Sequence, residues 1–343
     1  MRPSSLVRPF LVLTLFAGGG AVPAAAQSYH VARTFPLGGD GGWDYIALDT
    51  AGHRLFIARQ DRIMVVSEDS GRVLGEIPGL NRAHGVAFDY ASGHGFATSG
   101  ADSAVTMFDL RTLAVLGRTT AAVDDDAVLY DPATRHVFTM NGDAGSSSVI
   151  DPVTGRRIGT VDLGGKPEFG VSAGDGKLYA NIEDKNEVVE VDAAAMRVVR
   201  RWSIAPCEAP TGLAIDRAHH RLFSVCRSGV MAVSDAAAGR LVTTVPIGRG
   251  VDAARFDPGT QLAFASNGDG TLTVVHEDAP DRYSVVATVP TKQGARTMEI
   301  DLATHRVFTV SADFGPAPAP TAERPRPRPP VLPGTFALLV LEP

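Results

Sequence analysis

The sequence predicts an all-β fold, a seven-bladed β-propeller built from four-stranded antiparallel blades. Three observations carry this. One unit recurs seven times along the chain, at the spacing of about 40–45 residues that a propeller blade needs. Each unit alternates apolar and polar residues with a period of two, which puts successive side chains on opposite faces of a strand. No stretch has the periodicity of a long amphipathic helix.

Taken in chain order, the elements begin with a segment outside the fold. Arg2 and Arg8 precede the apolar run FLVLTLFAGGGAV, which ends in PAAAQ. A basic start, a short apolar stretch and an Ala-x-Ala ending make residues 1–26 a secretory signal peptide, with cleavage expected after Ala26. The run is short for a bilayer span, and no later segment approaches that length. The mature chain, 27–343, is expected to be one propeller domain, soluble and exported to the bacterial periplasm or beyond. The net charge of −6 argues against general binding to nucleic acid, which needs clustered cations.

YHVARTFPLGG, at the start of the mature chain, reads as the last strand of a blade, like GRVLGEIPGL later on. The seven units follow: WDYIALDTAGHRLFIAR, AHGVAFDYASGHGFATS, DDAVLYDPATRHVFTMN, PEFGVSAGDGKLYANI, PTGLAIDRAHHRLFSVC, VDAARFDPGTQLAFASN and ARTMEIDLATHRVFTVS. Each is a strand, an Asp-containing turn and a second strand with a central aromatic. In six units the Asp stands seven residues before the aromatic, as Asp49 does before Phe56; the fourth has Ser172 and Tyr179 with a turn one residue shorter. Third strands (RIMVVSED, AVTMFDL, EVVEVDA) and fourth strands (RVVRRWSIA, GRLVTTVPIG) complete the blades. The last unit supplies two strands, a proline-rich insertion over 315–334 and a third strand, GTFALLVLE. Its missing fourth strand is expected from the mature N-terminus, which closes the ring without exposed edges.

These repeats resemble the YVTN-repeat propellers, and in particular their exported YncE-like branch. The resemblance runs over essentially the whole mature chain and is carried by PEFGVSAGDGKLYANIEDKNEVVEVD, SNGDGTLTVV and VIDPVTGRRIGTVDLGGKPE. It implies the architecture strongly and an activity only weakly, because sites are grafted onto folds.

Candidate chemistry lies where the repeat varies. The start of the first strand and the end of the second meet around one mouth of the central channel. Five residues before the turn Asp, the units carry Asp44, His84, Asp126, Thr211, Asp252 and Arg296, and the shortened fourth unit contributes Glu168. Wet channels are lined with polar residues in any propeller, but four carboxylates aimed at one axis repel unless a cation, a proton or Arg296 offsets them. His53, His94, His136, His220 and His305 recur in the turn on the opposite face and read as scaffold, which leaves His84 as the one histidine of the ring. Second-strand ends Arg59, Ser99, Asn141, Asn181, Cys226, Asn267 and Asp313 are expected at the same mouth. NGDG at 267–270 is first a tight hairpin, Asn141 and Asp143 are read likewise, and the charge of NIEDKNE is read as solvated.

Cys207 and Cys226 flank one blade's mouth and are expected to form a disulfide in an oxidising compartment. A copper or zinc site using both thiolates with His84 is the alternative. The eight prolines of 315–334 make a stiff, polyproline-like loop over the mouth, either a solvated insertion or a lid or docking arm.

No nucleophile elbow, His-Glu-x-x-His, phosphate loop or dinucleotide fingerprint is present. The first expectation is therefore a protein that binds a small polar molecule or a divalent metal through Asp44, His84, Asp126, Glu168, Thr211, Asp252 and Arg296. The metal ligands would be His84, Asp126, Glu168 and Asp252; oxygen-rich ligation with one imidazole suits calcium or manganese, and zinc is possible. The second expectation, which the resemblance supports, is a metal-assisted lactonase or lyase with His84 or Glu168 as general base and Arg296 holding a carboxylate or enolate. A protein-interaction scaffold using the rim and the proline-rich loop is the third.

Overall fold

The structure is a computed structural model that describes residues 29–321 and 327–343; the signal peptide expected over 1–26 lies outside the described residues. Alternation of small or branched apolar residues with polar ones produces seven four-stranded antiparallel sheets. In six of them the strands follow chain order from the axis outward. Their first strands are Ile46–Asp49, Ala83–Asp89, Asp125–Asp131, Pro167–Ser172, Pro210–Asp216 and Val251–Asp257, in blades 1 to 6. Blade 7 is completed as expected. Its first three strands are Met298–Asp301, Arg306–Ser311 and Ala337–Glu342, and His30–Pro36 pairs antiparallel with the last of these. The ring is thereby closed by hydrogen bonds between the two ends of the described chain.

Each turn between first and second strand needs one residue with positive φ, and the structure places it at the same point in every blade. The residues are His53, Gly93, Arg135, Gly176, His220, Gln261 and His305. Three of the recurrent histidines thus occupy the left-handed turn position, while His94 and His136 begin second strands. None lines the mouth, in keeping with a scaffold role. Blade 4 has the shorter turn that the sequence suggests: Pro167 faces Ile182, whereas Asp125 faces Asn141 in blade 3.

The core lies between blades rather than within them. The second-strand aromatics Phe56, Phe96, Phe138, Tyr179, Phe223, Phe264 and Phe308 are all buried. Phe223 stacks on Phe256 of the next blade at a centroid distance of 5.1 Å, and Tyr283 meets its edge at 5.8 Å. Aromatics in this arrangement contribute area burial and ring–ring attraction together.

Cys207, in the loop before the first strand of blade 5, is bonded to Cys226 at the end of the second, with Cα atoms 5.6 Å apart. The bond removes both thiolates from the ligand pool, so the copper or zinc site built from them with His84 is ruled out in this state. Two outcomes follow. Phe223→Ala should lower unfolding stability by about 3–5 kcal/mol, read from denaturant titration, because a large cavity opens between two rigid sheets. Replacing both cysteines by serine should cost about 3 kcal/mol in the same assay, the loop-closure value for a chain separation of this order.

Candidate functional site

The polar ring sits where the first strands are bulged. In blades 2 to 6 the ladder register shifts between Ala83 and Val86, Asp125 and Val128, Pro167 and Gly170, Pro210 and Leu213, and Val251 and Ala253. His84, Asp126, Glu168, Thr211 and Asp252 each fall inside such a bulge. A bulge leaves one residue unpaired and re-aims its side chain, which is why these positions can face the axis. Asp44 and Arg296 precede the regular strands of blades 1 and 7 and are held by backbone contacts instead. Thr297 donates to the Asp44 carbonyl at 2.9 Å, and an Arg296 NH2 donates to the Trp43 carbonyl at 2.9 Å.

Six of the seven ring residues line one cavity of about 430 Å³: Asp44, His84, Asp126, Glu168, Asp252 and Arg296. Thr211 does not. Its hydroxyl is fully buried, 3.1 Å from the Val251 carbonyl and 3.3 Å from that of Val225, so it is a scaffold residue and not part of the site. Below the cavity, Tyr45 packs edge-on against Phe169 at 4.9 Å, and a bidentate pair between Arg255 and Glu299 (2.7 and 3.0 Å) lies alongside. These groups narrow the channel to a space of about 70 Å³, which makes the mouth a pocket with a floor. The sequence reading passed over Arg255 and Glu299, although each is a charge within an otherwise apolar run.

At the pocket's centre the His84 Nδ1 lies 2.6 Å from Asp44 Oδ2 and 3.1 Å from Asp126 Oδ1. Its other nitrogen, Nε2, is buried without a hydrogen-bond partner and faces Gly100, where a Cβ would stand only 2.8 Å away. Glycine at 100 is therefore required for the ring to sit as it does. The remaining carboxylates have cationic partners. Arg296 Nε donates to Asp252 at 2.7 Å, Arg227 lies 3.5 Å from Glu168 and 2.5 Å from Glu183, and Arg82 lies 3.0 Å from Asp124. The atoms that converge on one point are thus those of Asp44, His84 and Asp126. This differs from the expected metal set of His84, Asp126, Glu168 and Asp252: an arginine occupies the space beside each of the last two.

The second-strand ends divide differently from expectation. Ser99, Asn141, Cys226 and Asn267 are buried, and Asn141 and Asn267 tie adjacent strands together through Thr139, Ser148 and Thr273. Arg59 is buried over the Phe336 ring and donates to the carbonyls of Gly42 and Asp40. In blade 4 the strand end is Ile182, not Asn181, and in blade 7 it is Ser311, not Asp313. Asn181 instead donates to the Thr211 and Gly212 carbonyls of the next blade. The pocket takes the residue one position further on: Gln60 and Arg227 line it, and Glu183 reaches it through Arg227. The charge of NIEDKNE is therefore engaged, since Glu183 also lies 3.4 Å from Lys166.

The proline-rich insertion is anchored at its base, where Gly315 donates to the Pro330 carbonyl and Leu332 to that of Asp313. Phe314 packs against Trp43 at 6.0 Å, and Arg328 lines the pocket. Arg328, Pro329 and Val331 also wall an adjoining cavity of about 620 Å³ that shares Trp43, Arg227, Asp252 and Arg296.

Burial is the main influence on the carboxylates. It raises Glu168 to about 9, with Asp126 and Asp252 adding repulsion and Arg227 opposing. Asp126 is raised well above the usual range by burial and then by Asp44 and Asp252. Burial also raises Asp252, although Arg296 pulls the other way. Asp125, beneath the ring, is raised to about 7 by burial. Burial and mutual repulsion thus favour the neutral form of these four carboxyls.

No protein-family model matches the chain, and no curated protein is significantly similar to it. Among solved structures it is similar to hydrazine synthase of Kuenenia stuttgartiensis, with a TM-score of 0.70 and 14% identity over 78% of this chain and 92% of that one. At that identity the likeness bears on the fold alone. Among the described residues no helix is long and apolar enough to cross a membrane.

A raised carboxyl stabilises the folded state below its unfolded value, and that contribution is lost as pH rises toward the folded one. For Glu168 the window runs from 4.5 to about 9. With chelator present, the melting temperature should fall as pH rises through this range, and Glu168→Gln should flatten the slope. An unchanged slope in the variant would contradict the assignment.

Proposed function

We propose that this chain is an exported binding protein whose mouth holds a divalent cation on Asp44, His84 and Asp126, together with a small anionic molecule. The observation that carries this is His84 Nδ1 lying between two carboxylates in a polar pocket. The donor set fits such an ion. Asp126 Oδ1 is buried with no hydrogen-bond partner, and two oxygens with one imidazole suit manganese or zinc, with calcium a weaker match for a histidine ligand. Arg227, Arg296 and Arg328 line the same pocket and would face an anionic ligand such as a carboxylate or phosphate. Export is supported by the signal-like segment 1–26 and by the disulfide. The exported YncE-like branch of the YVTN-repeat propellers remains the family that the repeat motifs favour.

One observation favours a second reading, a metal-assisted lactonase or lyase on the same residues. Glu168 lines the pocket with its carboxyl raised to about 9, so at neutral pH it is a proton donor, not the base first expected of it. A divalent ion on Asp44, His84 and Asp126 would supply Lewis acidity toward a carbonyl. Arg296 would orient a carboxylate, and His84, already between two acids, would be a ligand and not a base. The scaffold reading rests on Arg328, Pro329 and Val331, the part of the proline-rich loop that lies beside the pocket.

Calorimetric titration with Mn²⁺ tests the main reading. His84→Ala should remove one binding site per chain without loss of fold. Arg227→Ala should leave that site in place but weaken a dicarboxylate ligand by about tenfold or more, the scale of one charged hydrogen bond. Equal metal binding by the wild type and His84→Ala would sink the proposal. Turnover of lactones by the metal-loaded wild type, lost in Glu168→Gln, would select the enzyme.

A further inference from the structure

On the face opposite the mouth, at the boundary of blades 5 and 6, a second group of donors converges. His219 Nδ1 lies 2.7 Å from Asp216 Oδ2 and 3.0 Å from Glu277 Oε1. Neither contact is aligned as a hydrogen bond, and both oxygens of Glu277, which is only 2% exposed, have no hydrogen-bond partner. Asp216 keeps its scaffold task as well: its carboxylate accepts from the Ala218 and His219 amides.

The other blades act as internal controls. The amide at the position of Glu277 bonds the carbonyl of the left-handed turn residue, and so do the amides of Glu68, Leu110, Ala193 and Ala236 in blades 1, 2, 4 and 5. Three of those blades place Leu or Ala there, so the fold does not ask for a buried acid. In blade 1 Glu68 is neutralised by Arg306, the first residue of a second strand, at 3.1 Å. The corresponding arginine beside Glu277 is Arg221, and it turns away. It donates to the Pro280 carbonyl at 2.6 Å and pairs with Asp281 at 3.0 Å. Glu277 is left facing a second carboxylate and a half-exposed imidazole.

We propose that Asp216, His219 and Glu277 form a second divalent-metal site, suited by its mixed oxygen and imidazole donors to Zn²⁺ or Mn²⁺. The ion supplies the positive charge that Arg306 gives to Glu68, and the partial exposure of His219 gives it a route from solvent.

Zn²⁺ titration of His84→Ala, which lacks the mouth site, isolates this one. That variant should bind one ion per chain with a Kd of about 10 μM or tighter. Adding Glu277→Ala should weaken binding at least tenfold with little change in fold, because Ala193 and Ala236 occupy the same position elsewhere. Adding His219→Ala instead should weaken it likewise. Absence of tight binding by folded His84→Ala, or equal binding after Glu277→Ala is added, overturns the proposal. Failure of the mouth reading is separately visible, as equal stoichiometry in the wild type and His84→Ala.

Discussion

Carboxylates that share a small, poorly hydrated volume cannot all remain ionised unless positive charge joins them. Ring closure imposes that situation here. The innermost strands of the blades converge on one axis, so side chains that would be separate surface groups on an open sheet meet in one pocket. Arginines answer part of the charge. Arg296 is committed to Asp252, Arg227 to Glu168 and Glu183, and Arg82 to Asp124. Asp44, 3.8 Å from Arg296 at its other oxygen, and Asp126 have the imidazole of His84 between them.

The scaffold separates this frustrated pocket from the source of stability. Buried second-strand aromatics pack between blades, and the positive-φ turns and the closing strand hold the ring whatever the mouth contains. Bulges do the positioning. They turn His84, Asp126, Glu168 and Asp252 inward without breaking the sheets behind them. Tyr45, Phe169 and the Arg255–Glu299 pair then narrow the channel below.

The fold was legible because its signal is repeated. Seven copies of a strand, turn and strand unit average out local noise, and the turn Asp and central aromatic fix the register in all of them. Six of the seven ring positions were legible for the same reason, since a residue that departs from a repeat is conspicuous. Thr211 was not separable from them: nothing in the chain shows that its hydroxyl turns to the Val251 carbonyl. Arg227 was missed because strand ends were counted to Cys226, and the pocket takes the next residue. Arg328 sits in a segment whose composition gives no fixed position. Pairwise distances carried the rest, as with Asp44 replacing Glu168 and Asp252 beside His84.

The Asp216–His219–Glu277 group shows the complementary limit. All three residues belong to segments that read as ordinary turn and strand, and Glu277 is unusual only when aligned with Leu110, Ala193 and Ala236 through the backbone bonds they share. Comparison of blades within one chain thus substitutes for comparison between chains.

The central claim is that the mouth carries a cation in place of a proton, between Asp44, His84 and Asp126. Diffraction from crystals soaked in Mn²⁺, collected for anomalous signal, tests it most directly. The account predicts a peak bonded to His84 Nδ1 and to an oxygen of each aspartate. A mouth without a peak at saturating metal, with the imidazole still hydrogen-bonded to Asp44, would contradict it.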